Sequence, residues 1–183
     1  SRRNTPDVVK VLLEAGADVH AREQDGNSAL AWAAFGNVPE AVIMLANAGA
    51  SANEGRDDGI TALMGAAKRN TPAMIKTLVK LRANVNARDS NSMTALLYAA
   101  MNNPDPGVVN ALIDGGADDV KDNNGRNALM LAARWNAPKV VKALLDAGAD
   151  VNARDNEHKS VLDYAMENEK LKDTGIIERI KEA

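Results

Sequence analysis

Cysteine is absent from the 183 residues, which excludes disulfides, thiolate-bound zinc and a thiol nucleophile. Aromatic residues are scarce, 3% of the chain against a hydrophobic fraction of 45%. Any core must therefore be built from Ala, Leu, Val, Ile and Met, which suits thin helices packed closely together. Charge of one sign is also lacking. The 22 Lys and Arg and 25 Asp and Glu give a net charge of -3, and the basic residues are scattered, with no run able to neutralise a track of phosphates. Nucleic acid is thus not expected as a partner. No apolar run approaches the roughly 18 residues of a spanning helix, and Ser1-Arg2-Arg3-Asn4 leads straight into helix-start residues instead of a signal-type apolar stretch. A membrane is not expected as a partner either, and the compartment stays open.

What the chain does have is a period. Ala29-Leu30, Ala62-Leu63, Ala95-Leu96, Ala128-Leu129 and Val161-Leu162 return every 33 residues. A fixed period of this size marks one supersecondary unit copied and stacked, each copy burying its apolar face on its neighbours. The whole chain, 1–183, is read as one array. A partial unit (1–22) is followed by full units 23–55, 56–88, 89–121 and 122–154, and by a capping unit, 155–183.

Within a unit the local signals are consistent. A turn such as Asp58-Gly59-Ile60 precedes a hydroxyl residue (Ser28, Thr61, Thr94, Ser160) that serves as N-cap of a short first helix. Asn37, Asn70, Asn103 and Asn136 stand where that helix stops, and asparagine tolerates the left-handed conformation found there. Pro39, Pro72 and Pro138 open a second helix, where a missing N–H costs nothing. Asn4-Thr5-Pro6 copies this break, so the chain is expected to begin inside a longer array, lacking its first inner helix. In the second helices Val8-Val9 with Leu12-Leu13, Val42-Ile43 with Leu45, Ile75 with Leu78-Val79, and Val140-Val141 with Leu144-Leu145 predict one buried face. Asn103-Pro104-Asp105-Pro106-Gly107 carries one extra residue and Asp118-Asp119-Val120-Lys121-Asp122 one fewer, so a local bend is expected there. Ile176-Ile177 and Ile180, set among Glu178, Arg179, Lys181 and Glu182, read as a cap with a wetted outer face.

This pattern resembles ankyrin repeats over nearly the whole chain. The resemblance rests on Asp25-Gly26-Asn27-Ser28-Ala29-Leu30 and Asp58-Gly59-Ile60-Thr61-Ala62-Leu63, and on the closing segments Ala15-Gly16-Ala17-Asp18-Val19 and Ala147-Gly148-Ala149-Asp150-Val151. It implies an all-α solenoid of stacked helix-turn-helix units with hairpin-like turn tips, a concave wall of short inner helices, and recognition of another protein by those two surfaces. The family commonly has Thr-Pro-Leu-His where this chain has Ser28-Ala29-Leu30-Ala31 or Thr61-Ala62-Leu63-Met64. Ala31, Met64, Leu97 and Met130 are therefore expected to replace a histidine network with apolar contacts.

Constellations for chemistry are missing. His20 and His158 lie in the first and last units, and a linear stack cannot bring them together as a catalytic relay or zinc site. Asp57-Asp58 and Asp118-Asp119 lack the ligand spacing of a calcium loop, and turn chemistry explains them better. No glycine-rich phosphate loop is present. A non-catalytic interaction module without cofactor or metal is expected, monomeric as an isolated array, the alternative being an architectural or self-associating spacer. The resemblance implies a partner surface comprising Phe35, Asp57, Asp58, Ile60, Lys68, Arg69, Met93, Met101, Arg126, Arg134 and Trp135, with Trp135 the leading anchor. Lys159 and Glu167 are also read as exposed. Ile60 and Met93 are equally readable as packing residues, and Phe35 and Trp135 as covers of helix ends. Trp32 shares a column with Gly65 and Tyr98 and is expected in the core, its ring compensating the glycine.

Overall fold

The computed structural model describes residues 6–182, and the Asn4-Thr5 part of the first break lies outside them. Helices alternate in two layers. The first-helix layer contains α2 (Ala29–Phe35), α4 (Ala62–Arg69), α6 (Ala95–Asn102), α8 (Ala128–Trp135) and α10 (Val161–Met166). The second-helix layer contains α1 (Pro6–Glu14), α3 (Pro39–Asn47), α5 (Pro72–Lys80), α7 (Pro106–Asp114), α9 (Pro138–Asp146) and α11 (Ile176–Glu182). Each helix packs on its layer neighbours, and each from α2 onward also on its own partner. Among the described residues there is no strand, only isolated bridges Arg22 to Ser28, Gly55 to Thr61 and Arg154 to Ser160 that pin the hairpin tips.

The helix starts are chemically marked as expected. Ser28, Thr61, Thr94 and Ser160 accept the N–H of Ala31, Met64, Leu97 and Asp163 at 3.2–3.4 Å, and Asn127 does the same for Met130 at 3.0 Å. Pro39, Pro72, Pro106 and Pro138 are each the first residue of their helix. The residue three places into the first helix is apolar and buried at Ala31, Met64, Leu97 and Met130. In the last copy Asp163 instead accepts from the Ser160 N–H at 2.8 Å and closes a capping box. Three residues separate α6 from α7, as they do α2 from α3, against two between α4 and α5 and between α8 and α9.

The second helices end on a left-handed residue: Gly16, Gly49, Gly116 and Gly148 have φ of 81°, 108°, 90° and 81°. At the same place after α5 stands Arg82, with φ 61°. A side chain there is strained by about 1–2 kcal/mol, part of which glycine returns through its greater freedom in the unfolded chain. Arg82→Gly is therefore expected to stabilise the array by about 0.5–1 kcal/mol, read from the midpoint of urea unfolding.

The asparagines do more than end helices. Asn37 is left-handed at φ 56°, but Asn70, Asn103 and Asn136 are extended, with φ from -95° to -104°. Their side chains reach back one unit. Asn103 Nδ2 donates to the carbonyls of Ala67 (3.0 Å) and Asn70 (2.9 Å). Asn136 Nδ2 donates to Ala100 (2.8 Å) and Asn103 (2.9 Å). Asn168 Nδ2 donates to Ala133 (2.8 Å) and Asn136 (3.0 Å), while Asn70 bonds the carbonyl of Ala34. Those alanine carbonyls belong to the last turn of the preceding first helix, where intrahelical donors run out; Ala34 also accepts the Asn37 N–H at 3.0 Å. A buried amide ladder thus crosses the array at the ends of its first helices, in place of a histidine network.

The buried face of the second helices holds in α3, α5, α7 and α9, where Val42, Ile75, Leu78, Val108, Leu112, Val140 and Leu144 are buried. It fails in α1: Val8, Val11 and Leu12 are 45%, 62% and 53% exposed, because no described first helix lies beside them. Val8 and Leu12, together with Trp32 and Ala33, line an apolar groove of about 290 Å³. At the other end Ile176 and Ile180 are buried and Glu178, Lys181 and Glu182 exposed, as the cap reading requires.

Candidate partner-binding surface

Three of the turn tips are each built on one buried carboxylate. Asp89 Oδ1 accepts the N–H groups of Asn91 and Met93 at 2.8 and 2.9 Å, Asp122 Oδ1 those of Asn124 and Arg126, and Asp155 Oδ1 those of Glu157 and Lys159. The second oxygen of each is bonded to a side chain. Tyr98 and Tyr164 donate their hydroxyls to Asp89 and Asp155, and Arg126 donates from Nε and Nη2 to Asp122 at 2.9 and 2.7 Å. All three carboxylates are buried, so their full set of donors is what makes them tolerable there. The tips also bond to one another through the N–H groups of Ser90, Asn123 and Asn156 and the carbonyls of Asp58, Asn91 and Asn124. They form a continuous ridge beside the first-helix layer.

Burial pushes both tyrosine hydroxyls up, and the hydrogen-bonded carboxylates push them further, Tyr164 to about 12. Burial also acts on Asp155, raising it. The Tyr164 hydroxyl and the N–H groups of Lys159 and Glu157 outweigh that, leaving Asp155 below the ordinary carboxylate value of 3.8. Asp163, bonded by Ser160, and Asp146, bonded by Lys142 and Arg179, are lowered too. A carboxylate with a depressed folded pKa binds fewer protons folded than unfolded, so its stabilisation is present above the unfolded pKa of about 4. That stabilisation disappears as pH falls through the folded value. All three groups lie in or beside the last unit, so the C-terminal helices are expected to lose amide-exchange protection before α4 and α6 as pH falls below about 4.

The first-helix layer presents a column in which three residues each cover one on the next helix. Phe35 sits against Gly65, Lys68 Nζ lies 4.5 Å from the Tyr98 ring centre, and the Arg134 guanidinium lies 5.4 Å from that of Tyr164. Compensation of Gly65 is thus supplied by Phe35. Trp32 is not in the core: it is 49% exposed, standing edge-on to Phe35 at 5.7 Å, because no described helix precedes α2 in this layer. Trp135 is 50% exposed, with the Arg134 guanidinium 4.8 Å from its ring centre. Arg134 Nη1 and Lys159 Nζ flank Glu167 at 3.5 and 3.7 Å.

The sequence-derived surface residues therefore divide. Arg69 and Asp57 are exposed; Lys68, Asp58, Met101, Arg126 and Arg134 are half-buried with their polar groups or ends at the surface. Asp58 pairs with Arg56 at 3.2 Å and accepts the Ile60 N–H at 3.1 Å. Ile60 and Phe35 are partly buried against the core. Met93 is buried at 7% exposure, a correction: the loop held by Asp89, with Ser92 left-handed at φ 59°, turns its side chain inward. The surface brings Arg134 and Trp135 together with Tyr164, Lys159 and Glu167, while Asp57 and Asp58 lie several units away on another tip. The Tyr and Asp pairing escaped the sequence reading, although Asp89, Asp122 and Asp155 recur at 33 residues and Tyr98 and Tyr164 each follow one by nine.

His20 lies 3.7 Å from Glu54, in a unit far from His158. Among the described residues no His, Asp or Glu cluster could hold a metal ion, and no helix is long and apolar enough to cross a membrane. Two layers of short helices, amide-laddered and edged by stacked tips, define a helical-repeat solenoid of the kind that binds other proteins. The chain belongs to the ankyrin-repeat family: the family's model matches it in three overlapping copies, residues 1–89, 63–155 and 96–173. Ankyrin repeats are in general protein–protein interaction modules and typically non-catalytic. No curated protein matches the sequence.

Proposed function

We propose that the chain is a non-catalytic module that grips a folded protein between its first-helix layer and its turn tips, with Trp135 as anchor. The observation that carries this is a half-exposed indole fixed on a helix end by Arg134 and by the packing of α8. Burying such a ring at the centre of an interface is worth about 2 kcal/mol or more, whereas the charges around it chiefly set association rate and register. Lys68, Arg69, Met101 and Arg126 extend the surface along the layer, and Asp57, Asp58 and Ile60 along the ridge of tips. Phe35 contributes mainly by supporting α4.

Affinity capture with the intact array followed by mass spectrometry names the partner. Trp135→Ser is expected to weaken capture about 30-fold or more, with helical content and melting unchanged because the ring is outside the core. Undiminished capture overturns the reading. A second reading, a spacer that self-associates through the apolar edge at α1, draws on the exposure of Val8, Leu12 and Trp32. Sedimentation over a dilution series separates the two: a constant monomer supports the module, a concentration-dependent dimer the spacer.

A further inference from the structure

The corner around Trp135 already holds one carboxylate, and holds it loosely. Glu167 lies between Arg134 Nη1 at 3.5 Å and Lys159 Nζ at 3.7 Å, well beyond the 2.7–2.9 Å of a charge-assisted hydrogen bond. Its side chain is 47% exposed, and those of Arg134 and Lys159 are 31% and 38% exposed. Among the described residues neither cation donates a side-chain hydrogen bond to any group. Lys170 adds a third cation, its ammonium donating to the Trp135 carbonyl at 3.1 Å. The Tyr164 ring centre lies 5.4 Å from the Arg134 guanidinium and 5.8 Å from the Lys159 ammonium, so one π system helps to hold both cations in place. Arg134 and Lys159 thus flank one weakly bound carboxylate beside a half-exposed indole, with Lys170 a third cation on the Trp135 carbonyl. In the same column of the first-helix layer the other positions are Phe35, Lys68, Met101 and Arg134, so Glu167 is its sole acid.

We propose that this corner is a carboxylate-binding subsite: an acidic side chain of the partner takes the place of Glu167 between Arg134 and Lys159, and an apolar neighbour on the same segment covers Trp135. The partner segment is therefore acidic and apolar together. This rests on the binding-module reading and specifies its partner's chemistry. Burial under a partner removes the solvent that screens these cations, so a carboxylate with hydrogen-bond geometry gains where the intramolecular one, spread between two long contacts, does not. Glu167 acts in the free protein as a competitor that keeps the cations paired.

The test uses the intact chain and two blocked peptides, acetyl-Glu-Glu-Leu-Glu-Glu-amide and the same peptide with glutamine for every glutamate. Binding is followed by the indole N–H signals of Trp135 and Trp32 in two-dimensional NMR. The acidic peptide is expected to move the Trp135 signal, with an affinity that falls as salt rises; Trp32 stays still, and the glutamine peptide is inert up to about 10 mM. Glu167→Gln is expected to tighten the acidic peptide about three- to tenfold, and Arg134→Gln to weaken it about tenfold. Both positions are at the surface, and thermal melting confirms that the variants fold. Equal shifts with both peptides, no shift at Trp135, or an unchanged or weaker affinity of Glu167→Gln each overturn the subsite. Loss of partner capture in Trp135→Ser without any binding of the acidic peptide overturns the subsite alone and leaves the module reading in place.

Discussion

Asn136→Ala lowers the stability of the array by about 2–4 kcal/mol, a loss of the size expected for truncating a buried leucine. The amide donates to the carbonyls of Ala100 and Asn103 at 2.8 and 2.9 Å, and its oxygen accepts the Ala137 N–H at 2.8 Å. The side chain is 5% exposed, so alanine leaves those carbonyls without a donor and out of reach of water. A lost bond counts for about 1 kcal/mol net, and each stranded buried group for about 1–3 kcal/mol, with partial relaxation lowering the sum. Asn136→Asp should be worse at neutral pH, because a carboxylate then faces two carbonyl oxygens where two N–H groups stood. The damage falls on one junction. A stack is stable through its nearest-neighbour interfaces, so weakening the contact between α6 and α8 is expected to split one thermal transition into two. Calorimetry reads this directly; a single transition with an unchanged midpoint would contradict the ladder. Function follows, since a partner spanning Lys68 to Trp135 needs both halves in register.

The same asparagines show what a sequence makes legible. Their period of 33 residues was plain, and so was a helix end at each, because helix starts and stops depend on groups within four residues of one another. The cap hydroxyls of Ser28 and Thr61 and the prolines at Pro39 and Pro72 were readable for that reason. The Asn136 to Ala100 bond joins residues 36 apart, and nothing local distinguishes an asparagine that turns the chain from one that reaches across to the unit before. Both chemistries suit the residue. The structure assigns the first to Asn37 and the second to Asn70, Asn103 and Asn136.

The binding surface was legible in part for a related reason. A period tells which residues share a column, but not which neighbour covers each of them. Trp32 and Tyr98 occupy one column and differ from 49% to 7% exposure, because Lys68 on the preceding first helix covers Tyr98 and no described residue does so for Trp32. Met93 shares its position with the surface residue Arg126, yet the Asp89 turn draws it inside. Trp135, at a helix end, is where exposure could be read from position, and there the expectation and the structure agree.

Gly65 is expected to resist replacement, and its replacement separates support from recognition at Phe35. A Cβ built on Gly65 would lie 1.9 Å from Phe35 Cε1 and 2.4 Å from Cδ1, distances no pair of carbons can hold. The ring cannot simply withdraw, since it packs on the core and stands edge-on to Trp32 at 5.7 Å. Alanine would normally gain about 1 kcal/mol in a helix interior over glycine; here overpacking of about 1–3 kcal/mol opposes it. Gly65→Ala is thus expected to be destabilising in urea unfolding despite the better helix former, and Gly65→Tyr more so. Adding Phe35→Lys to Gly65→Tyr rebuilds the Lys68 and Tyr98 arrangement one unit earlier, and is expected to recover at least about 1 kcal/mol relative to Gly65→Tyr alone. Recovery stays incomplete, because Arg56 stands where Asp89 accepts the Tyr98 hydroxyl. If the two substitutions prove additive, Phe35 is not what excludes a side chain at Gly65. Strong coupling means that Phe35 is committed to α4, so polar replacement of it lowers partner capture through the fold, whereas Trp135→Ser lowers capture with the fold intact.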